Sequence, residues 1–459
     1  MSTAKPPGAI GLEEARAHIA ERVFGSRLGG PEVGRIGLEP EYLTLRLGGS
    51  QPPRERMRLE GERGVFAALD AHASRTGGLV LDSPGPPPVY RLDNGGRLTF
   101  EPGAQVEHST AIHDTAAAAM DDVDEVAAWL LAALGEVGGT LGSVGLDLWT
   151  DRTVVEQQLR AGRYDAMAAY LASRSEHGAV MMRHTCSFQV NLDLGERSVA
   201  EERWRLANLL TPISVGSFAC SPEEGWTSRR ARAWQKLDST RTGFPACLLA
   251  GLRTEPGTCY AELALDADLL LFRHEDGGAT PGTAGFSLRD WIESGHAEFG
   301  WPTLEDVDYH LTTLFPEARL RGFFEIRSAD AMPISLRAAQ VVFWTGLLYD
   351  PEARGAALER LEPEVMSLEE LWVAAAREGL ADEDLHRSAV DVWRLALEGA
   401  GRLPSGFHRE QDLAVAEDFH ERFVLAGRSP GDELRERLRR DPADALRWSI
   451  ELERAAPLG

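Results

Sequence analysis

Apolar and polar side chains alternate at a period of two in four segments of this chain, which marks strands with two unlike faces. In Gly37-Leu38-Glu39-Pro40-Glu41-Tyr42-Leu43, Glu39 and Glu41 share one face, and Leu38 and Tyr42 the other. From Thr185 to Asp193 the alternation is complete. Thr185, Ser187, Gln189, Asn191 and Asp193 oppose Cys186, Phe188, Val190 and Leu192. In Phe323 to Ser328, Glu325 and Arg327 share a face while Phe324 and Ile326 point away. The fourth segment opens with Leu98 and Phe100 alternating with Arg97 and Thr99 and carries Glu101. It breaks at Pro102-Gly103 and resumes with Gln105 and Glu107.

Apolar positions at helical spacing predict helices over 12–24, 60–74, 115–134, 164–173, 200–217, 229–237 and 304–315. Strands are expected over 35–47, 181–194 and 319–328. A hairpin within 89–107 should turn at Asp93-Asn94-Gly95-Gly96. Residues 273–286, rich in Gly and Pro, read as an internal loop. From Ile334 onward the pattern is almost wholly helical, broken near Asp350-Pro351, Pro404-Ser405-Gly406 and Ser429-Pro430-Gly431. The expected class is α+β, with strand-rich residues 1–350 as the core and a helical region 351–459 packed on it in the same domain.

The polar faces admit two readings. One is an antiparallel sheet with helices on its apolar side and water on the other. The other is a curved sheet whose polar face lines a cavity. The side chains on these faces are mostly Glu, Gln, Asn and Arg, which coordinate cations and bind phosphate, and this favours a cavity. Glu39, Glu41, Glu101, Glu107 and Glu325 on one concave surface would repel one another unless divalent cations stood between them. Hard cations such as Mg²⁺ take oxygen ligands of this kind. Geometry sets one condition. Glu101 and Glu107 lie roughly 20 Å apart along a straight strand. They serve a common site only if Pro102-Gly103-Ala104 folds the chain back.

Composition narrows the function. The 459 residues carry a formal charge of −24, which argues against nucleic acid or an anionic membrane as partner. No apolar run reaches membrane-spanning length, and Met1 to Pro7 shows no secretory pattern, so the cytoplasm is expected. Cys186, Cys220, Cys247 and Cys259 lie far apart in sequence without a C-x-x-C pair and read as buried reduced thiols. Lys5 and Lys236 are the only lysines among 48 basic residues. Neither stands in a P-loop pattern, so phosphate handling would fall to arginines and metal ions.

With these residues in view, the chain resembles the glutamate–cysteine ligases of the plant and bacterial type, closest to the actinobacterial branch of ergothioneine biosynthesis. The matching segments run in family order. They are Gly37 to Glu41, Phe100 to Glu107, Met181 to Asp193, Ser228 to Trp234 with Asp238 and Arg241-Thr242-Gly243, Asp308 to Pro316, and Phe324 to Asp330.

The resemblance implies a glutamine-synthetase-like curved antiparallel sheet forming a funnel, with helices on its outer face and a catalytic core over 1–350. It implies that ATP phosphorylates the γ-carboxylate of glutamate and that the cysteine amine then displaces phosphate. Glu39, Glu41, Glu101, Glu107 and Glu325 would ligate Mg²⁺, with Gln189 either completing a site or serving as a hydrogen-bonded sheet residue. Arg327 would hold the γ-phosphate beside Glu325. Arg163, Arg230, Arg232 and Arg241 would take the substrate, although Arg229, Arg230 and Arg232 also fit a solvated helix face. Trp234 reads as packing.

Three departures stand near the site. Gly103-Ala104 replaces the usual Gly-Gly, His108-Ser109 replaces Leu-Ser, and Pro40 separates the first two glutamates. Competing readings are a ligase of the same fold using another amine, a non-catalytic nucleotide-binding or amino-acid-binding relative, and a metal-dependent hydrolase. The oligomeric state stays open.

Overall fold

The computed structural model describes residues 8–48, 51–85, 87–160 and 162–452, with the side chains of 51–54 left aside. Residues 1–7, read above for a secretory pattern, and the last seven of the helical region lie outside the described residues. Twelve strands are described. They are β1 (Ile36–Gly48), β2 (Gln51–Arg56), β3 (Leu79–Ser83), β4 (Val89–Leu92), β5 (Arg97–Phe100), β6 (Val106–Ser109), β7 (Gly139–Gly142), β8 (Phe188–Leu192), β9 (Leu271–Arg273), β10 (Ala279–Pro281), β11 (Ala318–Leu320) and β12 (Phe324–Ile326). Ten form one sheet in the order β11-β12-β8-β1-β6-β5-β4-β3, with β2 and β7 also paired to β1. Every pairing is antiparallel. At 13 residues β1 is long enough to pair with four different strands along its length.

The apolar face of the sheet is covered by helices, as the α+β pattern predicts. Ile36, Leu38, Val190, Leu192, Phe324 and Ile326 share a core with the helix Ala338–Tyr349. That helix is apolar around its whole circumference and every residue in it is buried. The helices Glu383–Arg402 and Glu410–Phe419 add Val392, Trp393, Ala396 and Phe419 to the same core, so residues beyond 350 pack directly on the strand-rich part. Tyr42, Leu98, Phe100 and Val106 belong to a second core with Val126, Leu130 and Leu134 of the helix Ala116–Glu136. Its first turn is capped by Thr115, which accepts from the Ala118 N–H. No helix among the described residues is long and apolar enough to cross a membrane.

Four expectations change. The strand expected over 181–194 is β8 alone, because Met181, Met182 and Arg183 close the helix His177–His184. Met182 there packs with Tyr170, Leu171 and Trp234, so its apolar side chain serves a helical cluster and not the sheet. The strand expected over 319–328 is the hairpin β11–β12, turned at Gly322 with φ 76°. The loop 273–286 contains the second strand of the hairpin β9–β10. Finally, Cys247 and Cys259 pair as a disulfide with Cα atoms 6.1 Å apart. The short helix Ala246–Leu249 and the start of the helix Pro256–Asp266 bring them within bridging distance. Cys186 and Cys220 are free and buried, and burial raises both thiols well above their ordinary pKa.

Candidate active site

Directly paired residues of neighbouring strands project from the same face of a sheet. The register here pairs Glu325 with Asn191, Asn191 with Gly37, Glu39 with Gln189, Glu41 with Glu107, and Glu107 with Thr99. One face therefore collects the polar side chains singled out in the sequence. This face lines a cavity of about 430 Å³ whose wall includes Glu39, Glu41, Glu101, Glu107, Gln189, Glu325 and Arg327. Arg163, Tyr164 and Met167 of the helix Gly162–Arg174 line it too, with Met181, Trp234, Thr312 and Phe315. The polar face thus lines a concave, partly open cavity rather than a flat surface.

The bend between β5 and β6 meets the geometric condition for Glu101 and Glu107. The chain reverses across 101–105, with the Glu101 N–H donating to Gln105 O and the Ala104 N–H to Glu101 O, both at 2.9 Å. Ala104 adopts φ 67°, the left-handed region in which a side chain is strained and the usual glycine is not. Gly103 lies against the Arg183 backbone, where an added Cβ would come within 2.2 Å of Arg183 O. Arg56 donates from Nη1 to Gly103 O at 2.7 Å and pairs with the buried Asp147 at 2.7 Å. Thr44 Oγ1 donates to Ala104 O at 2.7 Å. Both glutamates consequently face one cavity from adjacent strands.

The carboxylates sit in unequal surroundings. Burial pushes the Glu325 carboxyl upward, but Arg319, Arg327 and Arg321 overcome that and hold it well below the ordinary range. Glu325 Oε2 accepts from Arg319 Nη1 at 3.1 Å and Arg327 Nη1 at 3.0 Å, and Oε1 accepts from Arg321 Nη1 at 2.7 Å. Glu39 is pushed up to about 7 by burial and by Glu325, although Asn191 Nδ2 donates to it at 2.9 Å. Glu101 is pushed up to about 7 by burial and by Glu41. Burial, with Glu39, Glu101 and Glu41 nearby, carries Glu107 well above its ordinary value despite a bond from Thr99 Oγ1 at 2.8 Å. Glu41 accepts from the Ser187 N–H at 2.7 Å and from Ser187 Oγ at 2.8 Å.

Three of these acids are short of positive charge, and all five offer only oxygen. That donor set fits a hard divalent cation. Among the described residues no group of three or more acidic, His or Cys side chains is placed to hold a metal ion.

The other expected residues divide. Gln189 bridges the site, donating from Nε2 to Glu41 at 3.2 Å and accepting from Arg327 at 2.8 Å through Oε1. Arg163 stands at the rim over the Tyr309 ring. Arg230 is buried one layer back. It donates to Arg327 O at 2.8 Å and lies over the ring of Trp234, whose other neighbour is Arg327. Trp234 both packs against Phe315 and lines the cavity.

Arg232 and Arg241 do not line the cavity. Arg232 lies over the ring of Trp226, which lines a separate surface cleft. Arg241 is fully buried, donating to Asp238 at 2.8 Å, to Thr313 O at 2.8 Å and to Asp268 O at 2.6 Å. Its donors are committed to holding those segments together. Arg319 and Arg321 lie outside the set expected from sequence. Arg319 and Arg321 share the parity of Glu325 and Arg327, so the alternation already carried them to the polar face.

The antiparallel sheet, helix-covered on one side, gathers carboxylates and guanidiniums on its other face. The sequence pattern of glutamate-cysteine ligase family 2 (GCS2) matches residues 35–452, and the chain belongs to that family of ligases. It is 36% identical over 436 residues to the glutamate–cysteine ligase EgtA of Mycolicibacterium smegmatis, covering 93% of this chain and 91% of that protein. It is 33% identical over 354 residues to the glutamate–cysteine ligase EgtA of Mycobacterium tuberculosis H37Rv, covering 73% and 79%. To the chloroplastic glutamate–cysteine ligase of Medicago truncatula it is 29% identical over 420 residues, covering 88% and 78%.

Proposed function

We propose that this protein joins the γ-carboxylate of L-glutamate to the amine of L-cysteine at the expense of ATP. The observation that carries the reading is the single cavity in which Glu39, Glu41, Glu101, Glu107 and Glu325 meet Arg327 on adjoining strands. A γ-carboxylate oxygen of glutamate attacks the γ-phosphorus of ATP, the bond from that phosphorus to the β–γ bridging oxygen breaks, and ADP leaves. The cysteine nitrogen then attacks the acyl carbon of γ-glutamyl phosphate, loses a proton, and phosphate departs. No side chain of the protein becomes covalently attached. The work is orientation and charge stabilisation.

The five glutamates would hold Mg²⁺, which supplies positive charge to the phosphates during transfer. Arg327 is fixed by Glu325 and Gln189 and aimed into the cavity, as suits a guanidinium that meets the transferred phosphoryl group. Arg163 at the rim would meet a substrate carboxylate. Arg230 would act through Trp234 and the Arg327 backbone, while Arg232 and Arg241 serve packing. Gln189 orients Arg327 and Glu41.

The deciding experiment measures ADP release with glutamate and Mg²⁺ across a panel of amines. Release that depends on cysteine supports the proposal. Release with a different amine supports a glutamate ligase of another acceptor. No turnover with any amine overturns both.

A further inference from the structure

Arg321 occupies a position unlike that of the other two arginines on Glu325. Arg319 and Arg327 are buried, with side chains 8% and 12% exposed, and both bind Oε2. The Arg321 side chain is 47% exposed, and it is the described partner of Oε1. Its guanidinium also counters the charge of Glu39. The backbone beneath it is fixed. It lies in the turn between β11 and β12, with the Gly322 N–H donating to Val23 O at 2.8 Å and the Arg321 N–H to Phe323 O at 3.0 Å. At Gly322 an added Cβ would meet Arg27 Cγ at 2.6 Å. A rigid turn therefore carries one long, half-exposed arm.

That arm borders three cavities. It lines the carboxylate cavity and also a neighbouring one of about 360 Å³, which shares Glu39 with the first and adds Arg27 and Arg35. Arg321 already has almost half of its side chain in solvent, so on leaving Glu325 its guanidinium can be hydrated. The same departure by Arg319 or Arg327 would strand a buried charge.

Resting on the proposed metal- and nucleotide-dependent reaction, we infer that Arg321 is a positioning residue that competes with a divalent cation for Glu325. Displaced from that carboxylate, it turns to the polyphosphate of the nucleotide. The two positions are mutually exclusive, so cation entry and phosphate capture are coupled through one side chain. Arg321 thereby holds Glu325 in place until the cation arrives.

The test is equilibrium binding of Mn²⁺ to the full chain, by electron paramagnetic resonance, followed by titration of ADP or AMP at saturating Mn²⁺. Arg321→Met should bind Mn²⁺ alone about 10-fold tighter than the parent protein, and ADP about 10-fold more weakly. AMP, which has no β-phosphate, should change less than about twofold. Arg321→Lys retains the competing charge, so its affinity for Mn²⁺ alone should stay within about twofold of the parent.

Unchanged or weaker Mn²⁺ binding by Arg321→Met overturns the competition, and undiminished ADP binding overturns the phosphate contact. Should Arg321→Met not fold, Arg321→Lys decides, since tighter Mn²⁺ binding in that variant also overturns the inference. If the parent protein at saturating Mn²⁺ binds no ADP, the proposed reaction fails with it. If the parent binds and the variants match it, the inference alone fails.

Discussion

Glu325 and Glu107 face the same cavity from strands separated by β8 and β1, yet their surroundings are opposite. Glu325 is met by three guanidiniums and held ionised far below the ordinary range. Glu107 has a threonine hydroxyl for a partner and three other carboxylates for neighbours, and it is pushed well above that range. One residue type thus does two jobs in one chamber. Among the described residues three arginines bond Glu325 on the β12 side, whereas the hydrogen bond to Glu107 on the β5–β6 side comes from Thr99.

The comparison breaks most sharply on paired substitutions. Glu325→Gln should cost at least about 10³-fold in turnover. It should also destabilise the fold by about 3–5 kcal/mol, because Arg319 and Arg327 would be left buried without their carboxylate. Glu107→Gln should also lose activity, but in buffer free of divalent cations it should raise stability by about 1 kcal/mol by relieving like-charge repulsion. Chemical denaturation of both variants with activity assays reads the contrast, and a shift of the same sign in both would abolish it.

A smaller effect separates the two sides by pH. Glu39 and Glu101 titrate near 7 in the fold, against an ordinary 4.5. Their raised values mean that protonation favours the folded chain. That contribution is complete below about pH 4.5 and is lost as pH climbs through about 7. Added Mg²⁺ should replace it, so the increase in melting temperature on adding Mg²⁺ should be larger at pH 8 than at pH 6. Equal increments at both values would mean that these carboxylates do not hold the ion.

Much of this arrangement could be read from sequence because parity in a strand is strict. Glu39, Glu41, Gln189, Asn191, Glu325 and Arg327 reach the cavity face through alternation alone. The fold-back of 101–107 required only Pro102 and Gly103. The helices Leu12–Val23 and Arg229–Leu237 fall where apolar spacing put them. What stayed hidden depends on distant partners. Arg241 is spent on Asp238, Thr313 and Asp268, and Arg230 lies behind Trp234, neither of which follows from position on a helix. The hairpin at Gly322 was masked because Arg319, Arg321, Glu325 and Arg327 keep the parity of one continuous strand. The pairing of Cys247 with Cys259 depends on how two short helices meet, which spacing does not encode.

Among the described residues the cavity wall contains arginine but neither lysine nor histidine. A guanidinium keeps its proton across the whole range in which proteins stay folded. The positive half of the chamber is consequently a constant, and only the negative half varies. Acidifying the solution acts on the chamber's charge through its carboxylates alone. The carboxylates act as a rheostat and the arginines as a fixed rail, so in the proposed reaction protons and divalent cations would compete for the same acids while the guanidiniums stay charged throughout.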